Sequence, residues 1–253
     1  MALLLHEVTG YLDSVFEDFS GNDVSNNGLQ VEACKHVSRV SFAVDACQET
    51  IDAAIGNGSE LLVVHHGLSW GSGWKRLDGI VARRMRAMFK HGLSLYAMHL
   101  PLDVHPEIGN NVILCKMLGL CDLQSFFSCH GVDVGYYGAC PEGIGLAKLA
   151  ARLGDGLGTA CKIHEFGSRS ITHVGVVSGG GDDAIEECSR LRIPCLVTGE
   201  LLHQRVQLAR ELGISVIVAG HYATETTGIK ELRRVLGEKL SIPTEFIDAP
   251  TGL

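Results

Sequence analysis

The chain has no surplus of positive charge: 21 Lys and Arg stand against 29 Asp and Glu, a formal net charge of -8. Without cations to neutralise phosphates, nucleic acid is not expected as its main partner. No run of like charge marks an interaction tail. No apolar stretch is long enough to span a bilayer. The opening Met1-Ala2-Leu3-Leu4-Leu5-His6-Glu7 lacks the cationic start and the length of a secretory leader, and reads as the first turn of an amphipathic helix. The nine cysteines include no Cys-x-x-Cys pair and are irregularly spaced. Cys34, Cys47, Cys115, Cys121, Cys161, Cys188 and Cys195 lie in or beside apolar stretches, where a reduced thiol behaves as a small hydrophobe. A disulfide framework is not expected, and the cytoplasm is the natural compartment. Gly179-Gly180-Gly181 fits neither the Walker A nor the dinucleotide pattern. It reads as a tight strand-to-helix turn, with an anion contact at the following helix as the alternative.

What the chain does have is a recurring layout. Leu61-Leu62-Val63-Val64 runs into His65-His66-Gly67; Leu95-Tyr96-Ala97-Met98 into His99-Leu100-Pro101-Leu102-Asp103; and Val216-Ile217-Val218-Ala219 into Gly220-His221, with Glu225 four residues on. Each apolar run reads as a buried strand that stops at imidazole or carboxylate. In parallel α/β sheets, the C-terminal strand ends are where ligands and reactive groups gather.

The order of elements supports such sheets. Val37–Asp45 predicts a strand, Gln48–Ile55 a helix closed by Gly56 and Gly58, and Val81–Lys90 a helix ending at Gly92 before the strand that leads to His99. The apolar positions Leu4, Leu5, Val8, Leu12, Val15 and Phe16 predict an N-terminal helix, and Asn27-Gly28 a turn. The second half runs a similar course. Ile171–Ser178 predicts a strand and Cys195–Glu200 the next strand end, with helices over Asp182–Leu191 and Gln204–Leu212. Between the halves, Val132–Gly138 predicts a strand and Gly145–Leu153 a helix, read as finishing the first half and linking to the second. Thr244–Asp248 predicts a last strand. The expected fold is therefore α/β, with two similar lobes of mainly parallel sheet and flanking helices related by a weak internal repeat. Residues 1–125 with 230–253 form the first lobe and residues 126–229 the second.

The donors at the strand ends suit a metal centre. Neighbouring strand residues point to opposite faces, so His65 and His66 can serve one site only where the strand has ended and Gly67 turns the backbone. Diverging donors then suit two neighbouring metals. Asp103 and Glu225 supply carboxylates, either able to bridge, and His221 completes five ligands. Five nitrogen and oxygen donors for two divalent ions leave positions open, as catalysis requires. Zinc, iron, manganese and nickel all accept such a set. Glu225 or His99 could relay a proton; His99 could equally be an outer hydrogen-bond partner or a substrate contact. Other readings compete. Asp103 could cap the stretch after Pro101, Glu225 could be first-turn charge for a helix entering near Thr226, and His203 could be a pocket residue or a helix start. His6, His36, His91, His130, His164 and His173 read as surface or core-edge residues.

These motifs, with Asn27-Gly28-Leu29-Gln30-Val31-Glu32 and His105-Pro106-Glu107-Ile108-Gly109-Asn110-Asn111, resemble the GTP cyclohydrolase I type 2-like, or Nif-three-like, family from the N-terminal helix to the last strand. The resemblance is closest to its compact bacterial branch. It implies a dinuclear metal site between two α/β lobes, with ligands carried over to His65, His66, Asp103, His221 and Glu225. It also implies a homohexameric toroid. The expected activity is hydrolysis of a small, nucleotide-like or cyclic amide or amidine substrate. The alternative is a non-catalytic metal-handling or regulatory protein.

Overall fold

The structure, a computed structural model, describes residues 2–253. The chain divides into two units, one of Met1–Leu102 with Ile229–Ala249, the other of Asp103–Gly228 with Pro250–Leu253.

In the first unit, β1 (Leu3–Leu4) precedes α1 (Leu5–Val15), followed by β2 (Gly28–Val31), β3 (His36–Val37), β4 (Val40–Asp45), α2 (Gln48–Gly56), β5 (Leu61–His66), α3 (Gly79–His91) and β6 (Ser94–Ala97). Helix α1 starts later than its apolar stripe suggests, because Leu3 and Leu4 pair antiparallel with β3. Met1 lies outside the described residues. The helix buries Leu5, Val8 and Leu12, and the Glu7 carboxylate accepts the Leu4 amide at its mouth. Strands β4, β5 and β6 are parallel neighbours, with β2 antiparallel on β6 and the last strand, Thr244–Phe246, parallel on β4. Leu61, Leu62, Val63 and Val64 are fully buried, as expected of a strand covered on both faces. Helix α3 ends where Gly92 takes a left-handed conformation. Asn27-Gly28 is not simply a turn. Gly28, at φ 99°, opens β2, which gives the edge of β6 a backbone partner.

Helix α4 (Leu100–Val104) carries the chain across the unit boundary. The second unit then contains α5 (Asn110–Leu118), β7 (Cys121–Cys129), β8 (Val132–Ile144), α6 (Leu146–Leu157), β9 (Lys162–His164), β10 (Ile171–Val177), a 3-10 turn over Asp182–Ala184, α7 (Ile185–Arg190), β11 (Cys195–Thr198), α8 (His203–Leu212), β12 (Ser215–Val218) and the start of α9 (His221–Leu240). Its sheet runs β7-β8-β10-β11-β12-β9. Only β10, β11 and β12 are mutually parallel, so this sheet is mixed, not mainly parallel. The first crossing between units falls at Leu102–Asp103, not near residue 125. The reason is packing: Leu114, Cys115 and Leu118 of α5 are buried with Leu149, Leu153, Val174 and Ile217. Strands β7 and β8 form a hairpin that turns through His130 and Gly131, both at positive φ. This hairpin belongs to the second sheet and is no linker. No helix among the described residues is long and apolar enough to cross a membrane.

Candidate metal centre

In the first unit, β5 runs through His66 instead of ending before it, yet the rings of His65 and His66 lie 4.6 Å apart. Neighbouring strands draw each ring by its Nδ1. His65 Nδ1 is 3.0 Å from the Met98 carbonyl oxygen, and His66 Nδ1 is 2.8 Å from Asp45 Oδ1. Asp45 is the register partner of His66 on β4. A third ring joins them: His99 Nδ1 is 2.8 Å from Asp23 Oδ1, and its centroid is 5.1 Å from that of His65 and 5.6 Å from that of His66. A carbonyl or carboxylate oxygen only accepts. Each Nδ1 therefore carries the hydrogen, and in the neutral ring each Nε2 keeps its lone pair. One ligand atom from each of the three histidines lies within 4.8 Å of the others.

Asp23 also accepts the amides of Ser25 and Leu100 and the Asn27 side chain. Burial pushes its pKa up, but the hydrogen bond and the attraction to His99, with the Ser25 amide and the Asn27 side chain, outweigh burial and hold it at about 2. Gly67 makes the turn after the pair. A Cβ there would strike the Gln30 amide and Ala97. Gln30 Oε1 accepts the Leu68 and Ser69 amides at 2.8 and 3.0 Å and so holds the loop beneath it.

In the second unit, Asp103 is buried in α4, where its Oδ1 accepts Asn110 Nδ2 at 2.9 Å and Ser178 Oγ at 3.0 Å. Asn110 Oδ1 in turn accepts the Gly228 amide at 2.7 Å, and Asn111 Oδ1 accepts the Ser178 amide at 2.7 Å. Helix α9 starts at His221, not near Thr226, so Glu225 sits one turn on. His221 Nε2 is 3.2 Å from Glu225 Oε1. His221 Nδ1 is 2.5 Å from Glu200 Oε1. The hydrogen bond to Glu225 raises the His221 pKa, burial opposes it, and attraction to Glu225 with the bond to Glu200 brings it to about 9. Gly179, at φ 59°, leaves room for this pair: a Cβ there would run into Glu225 Oε1 and lie 3.2 Å from His221 Nε2. Its carbonyl accepts the amides of Gly199 and Glu200, and the glycine run leads from β10 into the 3-10 turn over Asp182–Ala184.

Within their own units, His65 and His66 thus stand with His99, His221 pairs with Glu225, and Asp103 is held by Asn110 and Ser178. His203 is exposed at the start of α8 and stands outside these groups; His6, His36, His91, His130 and His173 are exposed as well. The sequence reading missed Asp23, Asp45, Glu200, Asn110 and Ser178 as partners of the donors. Asp45 and Glu200 each follow an apolar strand, a signal that could have found them. Asp23 follows no such pattern.

The Duf34/NIF3 (NGG1p interacting factor 3) family profile matches residues 3–251. A curated relative from Pyrococcus horikoshii, called GTP cyclohydrolase 1 type 2 homolog, is 45% identical over 248 residues, 98% of each chain. Among solved structures, TTHA1606 from Thermus thermophilus is 37% identical with a TM-score of 0.86, covering 99% of this chain and 100% of the other. Protein ybgI, described as of unknown function, is 29% identical with a TM-score of 0.92 over the same shares.

Proposed function

Because the chain belongs to the Duf34/NIF3 family, we propose that His65, His66, Asp103, His221 and Glu225 hold two divalent metal ions, and that the protein hydrolyses a small, nucleotide-like or cyclic amide or amidine substrate. One observation carries the reading. His65, His66 and His221 each have Nδ1 set against an oxygen acceptor, on Met98, Asp45 and Glu200 respectively. A metal-binding histidine is typically oriented this way, its second nitrogen turned to the ion. The donor set holds imidazole and carboxylate without thiolate, which suits zinc, iron, manganese or nickel. A bound ion pair supplies a water of lowered pKa and polarises the group under attack.

The chain's own residues do the rest. Asn110 and Ser178 aim the Asp103 carboxylate by donating to one of its oxygens. His99 with Asp23 forms a dyad suited to moving a proton at Nε2, because the Asp23 carboxylate steadies the charged imidazolium. Glu225 is the other candidate for that relay. The name of the Pyrococcus relative favours a cyclic C–N bond as the target. The same reading takes the protein to act in the cytoplasm as a homo-oligomer, a toroidal hexamer by family likeness.

The test begins with elemental analysis of untagged protein purified without chelator, where about two ions per chain are expected. Asp45→Asn and Glu200→Gln each should weaken metal retention about 10- to 100-fold. Zinc-, iron- and manganese-loaded samples are then screened against nucleotides and cyclic amides beside Glu225→Gln. Turnover lost in the variant supports the hydrolase. Metal bound and exchanged rapidly, with no turnover on any compound, supports a metal-handling protein, and stoichiometry near zero removes both.

A further inference from the structure

The chain has two tryptophans, and both lie in the glycine-rich loop after β5. The indole N–H of Trp70 donates to the Gly67 carbonyl at 2.9 Å, and that of Trp74 to the Leu68 carbonyl at 3.2 Å. The loop thus fixes both rings through its own backbone. The backbone of Trp70 is held too, by a bridge to Ser25 and by the Gly73 amide at 3.0 Å. Its ring stands edge-on to His99, 5.1 Å between centroids at 74°, and 6.1 Å from His66. Despite these contacts Trp70 is 37% exposed.

A tryptophan usually buries its body and leaves its N–H to be satisfied at the edge. Here the N–H is already bonded, so the indole's outward offering is apolar, aromatic surface beside two imidazoles. We propose that Trp70 is the wall on which a planar ring of the substrate stacks, holding that ring against His66 and His99. The stacked group is a flat, nitrogen-containing heterocycle, the ligand whose π-face matches an indole and whose ring bond the neighbouring centre would attack. This rests on the hydrolytic reading of the metal centre, and it adds a residue that selects the substrate without binding metal.

Trp74→Phe leaves Trp70 as the sole indole reporter. Zinc-loaded protein of this variant is titrated with the four common nucleoside 5′-monophosphates and with ribose 5-phosphate, following tryptophan emission. At least one ring-bearing probe is expected to quench saturably, while ribose 5-phosphate leaves emission unchanged. In the otherwise unaltered chain, Trp70→Leu weakens that probe about five- to a hundredfold by calorimetry, the range for losing one stacked ring. Trp70→Phe recovers most of the affinity. Quenching by none of the probes, or equal affinity in Trp70→Leu, overturns the proposal. Zinc content is measured on the same samples. Zinc retained with no stacking refutes Trp70 alone, whereas zinc absent from the unsubstituted chain refutes the metal reading.

Discussion

Replacing Asn110 with alanine should damage the protein more than replacing Ser178, although both donate to the same oxygen of Asp103. Asn110 is fully buried and does two things at once. Its amide nitrogen serves the carboxylate, and its oxygen accepts the Gly228 amide inside α9. Losing a hydrogen bond to a charged group costs about 1.5–3 kcal/mol, and stranding a buried N–H about 1–3 kcal/mol more. The two terms share one side chain and will not add fully, so Asn110→Ala is expected to cost about 2–5 kcal/mol. Ser178→Ala removes only the hydroxyl donor. Its amide stays on Asn111 and Asp103 keeps Asn110, so about 1.5–2 kcal/mol is expected, the low end of the same range. Urea unfolding of metal-free protein measures the difference directly. Competition with a chelator measures the second effect, a loss of metal affinity of about 10- to 100-fold in both variants through the misaimed carboxylate. Equal urea midpoints for the two variants would refute the claim that Asn110 joins Asp103 to the helix backbone.

Gly179→Ala should displace Glu225, since its Cβ would run into Oε1 and its φ of 59° is costly for alanine. The backbone alone loses about 1–2 kcal/mol, read as a lowered Tm, with metal stoichiometry falling too. Gly180→Ala, whose Cβ meets nothing within 4 Å, is the control and should leave both unchanged. Asp23 sets an acid limit: its folded pKa of about 2 lies below the ordinary aspartate value of 3.8. A depressed carboxylate adds stability that is present above the unfolded pKa and lost as pH falls through the folded one. The stake is about 2 kcal/mol between pH 4 and 2. Stability curves against pH for the native chain and Asp23→Asn should therefore converge at low pH, and parallel curves would count against the assignment.

The strand ends were legible because burial on both faces forces an apolar run, and its interruption by His65-His66, His99 or His221 stands out. Strand β7 was not. Its residues, Cys121–Cys129, are mostly exposed or half-buried, with only Phe126 buried, so it carries no apolar alternation and is a strand only through its pairing with β8. The boundary near 125 failed for a related reason. Element order cannot tell which sheet α5 covers; side-chain packing of Leu114 and Leu118 decides that. Asp23 was invisible because its role depends on His99, 76 residues away, and nothing local in Ser20-Gly21-Asn22-Asp23 marks it.

The pairing of Asp45 with His66 across adjacent strands has a further consequence. The orientation of that imidazole is inherited from sheet alignment, so it is complete once the chain has folded. Small zinc modules spend their binding energy on ordering a disordered peptide; here a cation would meet a prepared socket. Stripping the metal should leave cooperative unfolding intact, and reloading should proceed without a refolding phase.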